Sequence, residues 1–148
     1  MKKIKFLLVV TLLFSILILS SCKVKETSIE EYVELVYHYH VLMEKENVCI
    51  DLRDLNTSYS EGHFKGFINY NYGNGSPEEF LIYINSMYSK NIYIFLIDEN
   101  GEYVEEASKT LIKNGYKNII ICKDGYNKIV EHATEYLQVV TGIDDCGC

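Results

Sequence analysis

Residues 92–107 read IYIFLIDENGEYVEEA and combine a strand pattern, a loop and a helix pattern from which the rest of the chain can be interpreted. This stretch opens with a continuous apolar run of β-branched and aromatic side chains, which is typical of a strand buried on both faces of a sheet. The following residues, with Val104, Ala107 and Leu111 on one face, indicate an amphipathic helix. The loop 98–103 between them is predicted to lie at the carboxyl end of the strand and the amino end of the helix. Ligands and chemistry are usually found at such loops in open α/β sheets.

Strand and helix patterns alternate along the rest of the chain, which favours an α/β fold with a parallel sheet covered by helices. At least four strands are visible, and we expect a further short strand near Tyr32 or Thr57. The predicted helices are residues 28–46, 76–88, 104–114 and 129–140. The predicted strands are residues 48–52, 67–70, 92–97 and 118–122.

The amino terminus has the order of a secretory signal, with Lys2, Lys3 and Lys5 before an apolar run at residues 6–19. The run ends in Leu-Ser-Ser-Cys22, which resembles the lipobox of bacterial lipoproteins. This resemblance implies cleavage before Cys22, a lipid on Cys22, and an extracytoplasmic protein anchored to a bacterial membrane. We therefore interpret residues 1–21 as a signal peptide and residues 22–27 as a polar tether. The alternative is an ordinary signal peptide or an uncleaved anchor in which Cys22 is incidental.

The charge of the chain excludes some partners. The full sequence has 14 basic and 21 acidic side chains, a net charge of −7. Removal of the three lysines in residues 1–21 leaves 11 against 21, or −10. So acidic a body repels nucleic acid and anionic lipid headgroups, and we discount both as partners. Arg53 is the only arginine, so a bidentate clamp on an anion has one candidate.

Residues 50–53 (IDLR) and 61–69 (EGHFKGFIN) resemble the first signature of rhodanese-like domains. That signature is a strand ending in Asp-x-Arg, followed by Glu-x-Gly-His-Ile-x-Gly-Ala-x-Asn with slight variations. Phe64 and Phe67 stand here in place of the usual Ile and Ala. The resemblance covers about residues 28–140 and implies a rhodanese-like α/β domain with a parallel sheet of about five strands flanked by helices. The matching motif residues are Asp51, Arg53, Glu61, Gly62, His63 and Gly66.

Within this resemblance, Asp51, Arg53 and Glu61 are expected to form a charge network that braces the loop. His63 is expected to help to fix the loop structure by hydrogen bonding rather than to act in catalysis.

In active members of the family, the loop after the buried strand begins with a Cys that takes a sulfane sulfur from a donor and passes it to an acceptor. The ungapped match assigns that position to Asp98 and the rest of the loop to Glu99, Asn100, Gly101, Glu102 and Tyr103. A carboxylate cannot form a persulfide, because sulfur transfer needs a thiolate. We therefore predict a loop whose anion site is filled by its own side chains, in a domain without sulfurtransferase activity. Such a domain would act as a binding or regulatory module for an unidentified protein partner.

Two plainer interpretations of the acidic loop stay open. In the first, its carboxylates serve only to stabilise the start of the helix; in the second, they hold a hard cation such as calcium. The EF-hand spacing is absent, and we predict neither a metal site nor a cofactor.

The remaining cysteines support a rival hypothesis. Cys146 and Cys148 lie in a tail, residues 141–148, that is either flexible with incidental thiols or carries a redox pair. Cys49 and Cys122 lie in apolar strands and are predicted to be inert core residues, although Cys122 is at a strand end. The alternative function is therefore a thiol–disulfide or sulfur-transfer protein that uses Cys146 and Cys148, or Cys122.

Overall fold

The computed structural model describes residues 23–133 and 135–143. It contains a five-stranded parallel sheet with the strand order β1-β6-β5-β2-β4. The strands of this sheet are β1 (Lys23–Glu26), β2 (Asn47–Asp51), β4 (Ile68–Asn69), β5 (Tyr93–Ile97) and β6 (Asn118–Ile121). Two further strands, β3 (His63–Phe64) and β7 (Val139–Val140), pair antiparallel beside it. The predicted α/β class with about five parallel strands is confirmed.

Helices cover both faces of the sheet. They are α1 (Ile29–Val36), α2 (Pro77–Met87), α3 (Glu102–Lys113) and α4 (Tyr126–Ala133). The helices α2 and α3 pack on one face, where Phe80, Ile84 and Leu111 meet Ile94 and Leu96 of β5. The helices α1 and α4 pack on the other face against the alternate residues of β5. The central strand is therefore buried on both sides, as its apolar run predicts.

The fifth strand is not where the sequence places it. The predicted tether forms β1 and pairs in parallel with β6, with Val24 opposite Ile119. The positions near Tyr32 and Thr57 lie instead in α1 and in a π-helical turn (Leu55–Tyr59). The strand is hidden in the sequence because an edge strand of four residues needs little apolar surface, and Val24 is its only apolar residue.

Two helix ends also differ from prediction. The first helix ends as α-helix at Val36 and continues only through a π-helical turn (Tyr37–Val41). The last helix ends at Ala133 instead of Val140, because Val139 and Val140 pair with Phe64 and His63. Residues 141–143 follow, and the amide of Gly142 donates to the carbonyl of Ser60 at 2.8 Å. The rest of the predicted tail, residues 144–148, lies outside the described residues, as do residues 1–22.

The parallel strands place the loops β5–α3 and β6–α4 side by side at the carboxyl edge of the sheet, where β2 also ends in Asp51. Across the described ranges, no helix combines the length and apolarity needed to cross a bilayer.

Candidate functional site

The β5–α3 loop is organised around the side chain of Asp98, which is only 1 % exposed. Its Oδ1 accepts hydrogen bonds from the backbone N–H groups of Asn100, at 3.1 Å, and Gly101. Its Oδ2 accepts from the N–H groups of Tyr103, at 2.6 Å, and Val104, at 3.1 Å. One buried carboxylate thus satisfies four amides at the amino end of α3. An external anion meets no free amide at these four positions.

Two glycines lock this loop against the β6–α4 loop. Gly101 and Gly125 both have a positive φ, +88° and +80°. A Cβ at Gly101 would collide with the backbone of Lys123, and one at Gly125 with the backbone of Glu99. The amide of Tyr126 also donates to the carbonyl of Asp98 at 2.7 Å. The two loops therefore pack backbone against backbone, with no space for a ligand between them at these points.

The rest of the loop divides into buried and exposed positions. The side chains of Glu99, Asn100 and Glu102 are exposed, and Tyr103 is 38 % exposed. The Oδ1 of Asn100 accepts from the amide of Glu102 at 3.3 Å, and Glu99 accepts from Asn127 Nδ2 at 2.7 Å. The ring of Tyr103 packs on that of Tyr72, with centroids 5.6 Å apart.

The predicted contact surface at residues 98–103 is therefore narrower than expected. Asp98 and Gly101 are buried, and a partner can touch only the other four side chains.

Asp51 and Arg53 form a buried ion pair beneath the loops. Arg53 Nη2 lies 2.7 Å from Asp51 Oδ2, and Arg53 Nε donates to Asp51 Oδ1 at 2.9 Å. The guanidinium also donates to the carbonyl of Gly62 at 2.7 Å and lies 3.5 Å from the ring centroid of Tyr126. Burial raises the pKa of Asp51, although the Arg53 guanidinium acts in the opposite direction. The only arginine thus binds groups of the protein itself through Nε and Nη2.

The other motif residues are structural in their contacts. His63 is fully buried, its Nδ1 lies 3.0 Å from the carbonyl of Tyr59, and its ring stacks on that of Tyr59 at 3.7 Å. Gly66 has a φ of +82° and leaves space for the ring of His40. Glu61 is exposed and makes no ion pair within residues 23–133 and 135–143, so the expected charge network reduces to Asp51 and Arg53.

A shallow cavity of about 250 Å³ lies at this edge. Its lining includes Arg53, Glu61, Gly62, Glu99, Tyr126 and Asn127. The sequence does not predict Tyr126 and Asn127 as part of the site, because their contacts with Arg53 and Glu99 depend on tertiary packing. The one available signal was the position of Tyr126 directly after the Asp-Gly turn.

The two described cysteines are poorly placed for thiol chemistry. Cys49 and Cys122 are both buried, and burial raises the pKa of each thiol. A raised pKa reduces the thiolate fraction that sulfur transfer requires. Cys22, Cys146 and Cys148 lie outside the described residues.

His38 and His40 have separate polar partners. His38 contacts Glu44 and His40 contacts Asn47, each at 3.1 Å. No cluster of three or more potential metal ligands occurs in the part of the chain that the structure describes.

The family model for the rhodanese-like domain matches residues 37–132. This chain belongs to the rhodanese-like domain family. None of the curated proteins matches it in sequence.

Solved structures share the fold at low sequence identity. The crystal structure of the Alr3790 protein from Anabaena sp. is 17 % identical, covers 75 % of this chain and 91 % of its own, and has a TM-score of 0.60. The solution structure of the rhodanese-like domain of the same Anabaena protein is 16 % identical, covers 82 % of this chain and 83 % of its own, and has a TM-score of 0.58. The BH2092 protein from Bacillus halodurans is 15 % identical, with coverages of 80 % and 78 % and a TM-score of 0.55. These likenesses concern the fold alone.

Proposed function

We propose that this protein is a membrane-anchored rhodanese-like module that binds a protein partner and has no sulfurtransferase activity. The observation that carries the proposal is the pairing of the Asp98 carboxylate with four amides of its own loop. In active members of the family, a Cys occupies the start of this loop and its persulfide is held by the inward N–H groups. In this protein the Asp98 carboxylate would occupy the position of that sulfur and accept the hydrogen bonds of the N–H groups, and the loop has no nucleophilic thiol.

The proposed binding surface consists of the exposed part of the same loop. Glu99 and Glu102 present negative charge beside the half-exposed ring of Tyr103. A cationic protein surface complements this arrangement, whereas a doubly charged anion such as thiosulfate would be repelled. The rigid packing of the loop would present these side chains with little loss of conformational entropy on binding.

The membrane part of the proposal depends on Cys22. The order of lysines, apolar run and Leu-Ser-Ser-Cys22 supports cleavage and lipidation at this cysteine. Intact mass spectrometry of the protein extracted from membranes should show a chain that begins at Cys22 and carries acyl groups. A Cys22→Ala variant should lose this mass, and an unmodified Cys22 in membrane-extracted wild type would contradict the lipidation.

The loss of activity can be tested by restoring the thiol. Asp98→Cys removes one carboxylate from the loop and frees the four amides that it occupies. On exposure to thiosulfate, the thiolate of this variant is therefore expected to attack the sulfane sulfur, release sulfite and retain the sulfur as a persulfide. The mass of the variant should rise by one sulfur atom, and a small thiol should remove that atom. Glu99→Cys is the matched control, because its thiol would lie one residue further along the loop, at an exposed position that does not bind the four amides.

The outcomes separate the proposal from its rival. Equal reactivity of the two introduced thiols would mean that the loop is not the sulfur-binding loop of the family. A dischargeable sulfur adduct on Cys122, Cys146 or Cys148 of the wild-type protein would instead identify a sulfur carrier with a relocated nucleophile. Peptide mapping of the treated wild type distinguishes these cases.

A further inference from the structure

The edge of the sheet where the strands begin has a different charge from the rest of the protein. We call this region the basic edge and define it as Lys23 with residues 87–92 and 113–118. It contains Lys23, Lys90, Lys113 and Lys117 and no Asp or Glu. The net charge of −10 from residue 22 onward predicts that the protein as a whole repels anionic lipid, and this acid-free region is a local exception to that prediction.

The three parts of the basic edge are joined into one surface. The amide of Lys117 donates to the carbonyl of Lys90 at 3.3 Å, and Asn118 Nδ2 donates to the carbonyl of Asn91 at 2.6 Å. The start of β1 pairs with the start of β6, with the Cα of Lys23 opposite that of Asn118. The lysines of the two connections and the entry point of the chain thus lie side by side.

Most lysines outside the basic edge have a carboxylate partner: within residues 24–133 and 135–143, four of the six do, and Lys45 and Lys65 do not. Lys25, Lys109, Lys123 and Lys128 each form an ion pair with a carboxylate. Within residues 24–133 and 135–143, Lys90, Lys113 and Lys117 pair with none, and Lys113 and Lys117 are exposed. Lys90 is half-buried, donates to Asn85 Oδ1 and lies 3.9 Å from the ring centroid of Tyr116. The positive charge that is most open to an external anion is therefore that of Lys113 and Lys117.

Among the described residues, acidic side chains border this surface where β2 begins. The residues before β2 include Glu44 and Glu46, and the carbonyl of Glu46 accepts from the amide of Tyr93 at 3.1 Å. Glu44 contacts His38. The border with β1 has no acidic residue before Glu26, which lies at the opposite end of that strand.

The point at which the chain enters the sheet indicates what covers the basic edge. Cys22 immediately precedes Lys23, the first residue of β1, so no tether separates the proposed lipid-bearing residue from the folded domain. Met87, at the end of α2, adds an apolar side chain that is 62 % exposed. Cationic and apolar side chains together are the combination that binds an anionic bilayer surface.

We infer that the basic edge lies directly against an anionic lipid bilayer, which holds the domain in one fixed orientation. This inference rests on the proposed attachment through Cys22. Because the strands run away from the basic edge, the β5–α3 loop would face the aqueous phase. The five residues of β5 span roughly 17 Å, so the loop would lie about that far from the lipid when the strand is perpendicular to the bilayer.

A single tryptophan can report this orientation, since the chain contains none. Met87→Trp would introduce a fluorophore at the basic edge, and Ile143→Trp one at a 55 % exposed site beside the opposite edge. The full chain is reconstituted in vesicles of phosphatidylcholine and phosphatidylglycerol that carry bromine on the acyl chains. We expect strong quenching of the Met87→Trp emission and little quenching of the Ile143→Trp emission.

Charge variants then test the cause of the orientation. Neutralising Lys90, Lys113 and Lys117 to Gln in the Met87→Trp protein should reduce the docked-to-undocked ratio by roughly fivefold per lysine. The control neutralises Lys65, Lys109 and Lys128 to Gln, which changes the net charge equally but outside the basic edge. The quenching of its tryptophan emission should match that of the Met87→Trp protein in which all lysines are retained. Circular dichroism melting curves verify that each variant is folded.

The outcomes distinguish this inference from the anchor on which it rests. Equal quenching at positions 87 and 143 in a vesicle-bound protein would overturn the orientation and leave the anchor intact. Equal effects of the two lysine sets would overturn the role of the basic edge. A chain that does not float with the vesicles would contradict the anchor itself. Quenching in phosphatidylcholine alone, as strong as with phosphatidylglycerol, would contradict recognition of anionic lipid.

Discussion

The Oδ2 atom of Asp98 lies 3.1 Å from the backbone nitrogen of Val104, six residues further along the chain. The side chain therefore reaches across the whole loop to cap α3, whose own N-cap residue, Gly101, offers no side chain. A carboxylate in this position both pairs the free amides and complements the positive end of the helix dipole. The loop is thus stable without any bound anion.

This geometry predicts a large stability cost when the carboxylate is removed. Asp98→Ala would leave four amides without their acceptor in a buried loop, and we expect the free energy of unfolding to fall by about 3–5 kcal/mol. Asp98→Asn keeps one carbonyl acceptor and should cost about half as much. Urea unfolding measures both values. Glu102→Gln, at an exposed position of the same loop, should change the free energy of unfolding by less than about 1 kcal/mol. A similar cost for all three variants would contradict the stabilising role of the hydrogen bonds between Asp98 and the four amides.

The interlocked glycines make a second prediction. Gly101→Ala and Gly125→Ala would each add a Cβ that collides with the backbone of the opposite loop, at a position with positive φ. We expect each to destabilise the protein by about 3 kcal/mol or more. Gly115→Ala is the matched control, since its φ is also +88° but nothing lies within 4 Å of the added Cβ. Gly115→Ala should lower the free energy of unfolding by only about 1 kcal/mol. Equal melting temperatures for the three variants would show that the positive φ alone, and not the collision between the loops, causes the destabilisation.

The sequence predicts the centre of the fold better than its margins. The runs that became β5 and β6 are buried on both faces, so their hydropathy alone reveals them. β1 is an edge strand with one apolar residue, and its partner β6 lies far along the chain, so no local pattern marks it. The pairing of Val139 and Val140 with β3 overrides their helical spacing for the same reason.

The site shows a similar division. An acid at the start of a helix is a local signal, and the prediction that the loop's own side chains fill its anion site agrees with the contacts of Asp98. The stacking of Tyr126 under Arg53 joins two distant segments and has no counterpart in the sequence pattern. Glu61 shows the converse, because a matched motif position does not by itself specify an ion pair.

The Asp51–Arg53 pair is expected to be strongly coupled. Arg53→Met would leave the buried Asp51 carboxylate without its cation, and we expect a loss of about 3–5 kcal/mol. Asp51→Asn alone would leave the guanidinium without its main acceptor and should also be destabilising. The double variant should be more stable than the sum of the single effects predicts. Urea unfolding of all four proteins gives the coupling energy, and additive effects would contradict a direct interaction.

Tyr72 predicts a specific alkaline pH dependence. Burial raises its pKa from 10 to about 12 in the folded protein, where its ring packs on Tyr70 and Phe80. The unfolded state therefore ionises first, so the stabilising contribution is complete below pH 10 and is lost as the pH rises through about 12. At pH 11 the expected loss is about 1.4 kcal/mol relative to pH 9.

Comparison with Tyr72→Phe isolates this effect. The difference in unfolding free energy between the wild type and Tyr72→Phe should shift by that amount between pH 9 and pH 11, in favour of the Phe variant. Tyr136→Phe removes a hydroxyl from a ring that is 48 % exposed and so controls for the loss of a tyrosine as such. If the difference in unfolding free energy between the wild type and Tyr72→Phe stays constant with pH, Tyr72 has the same pKa in the folded and unfolded states. That result would be incompatible with its burial against Phe80.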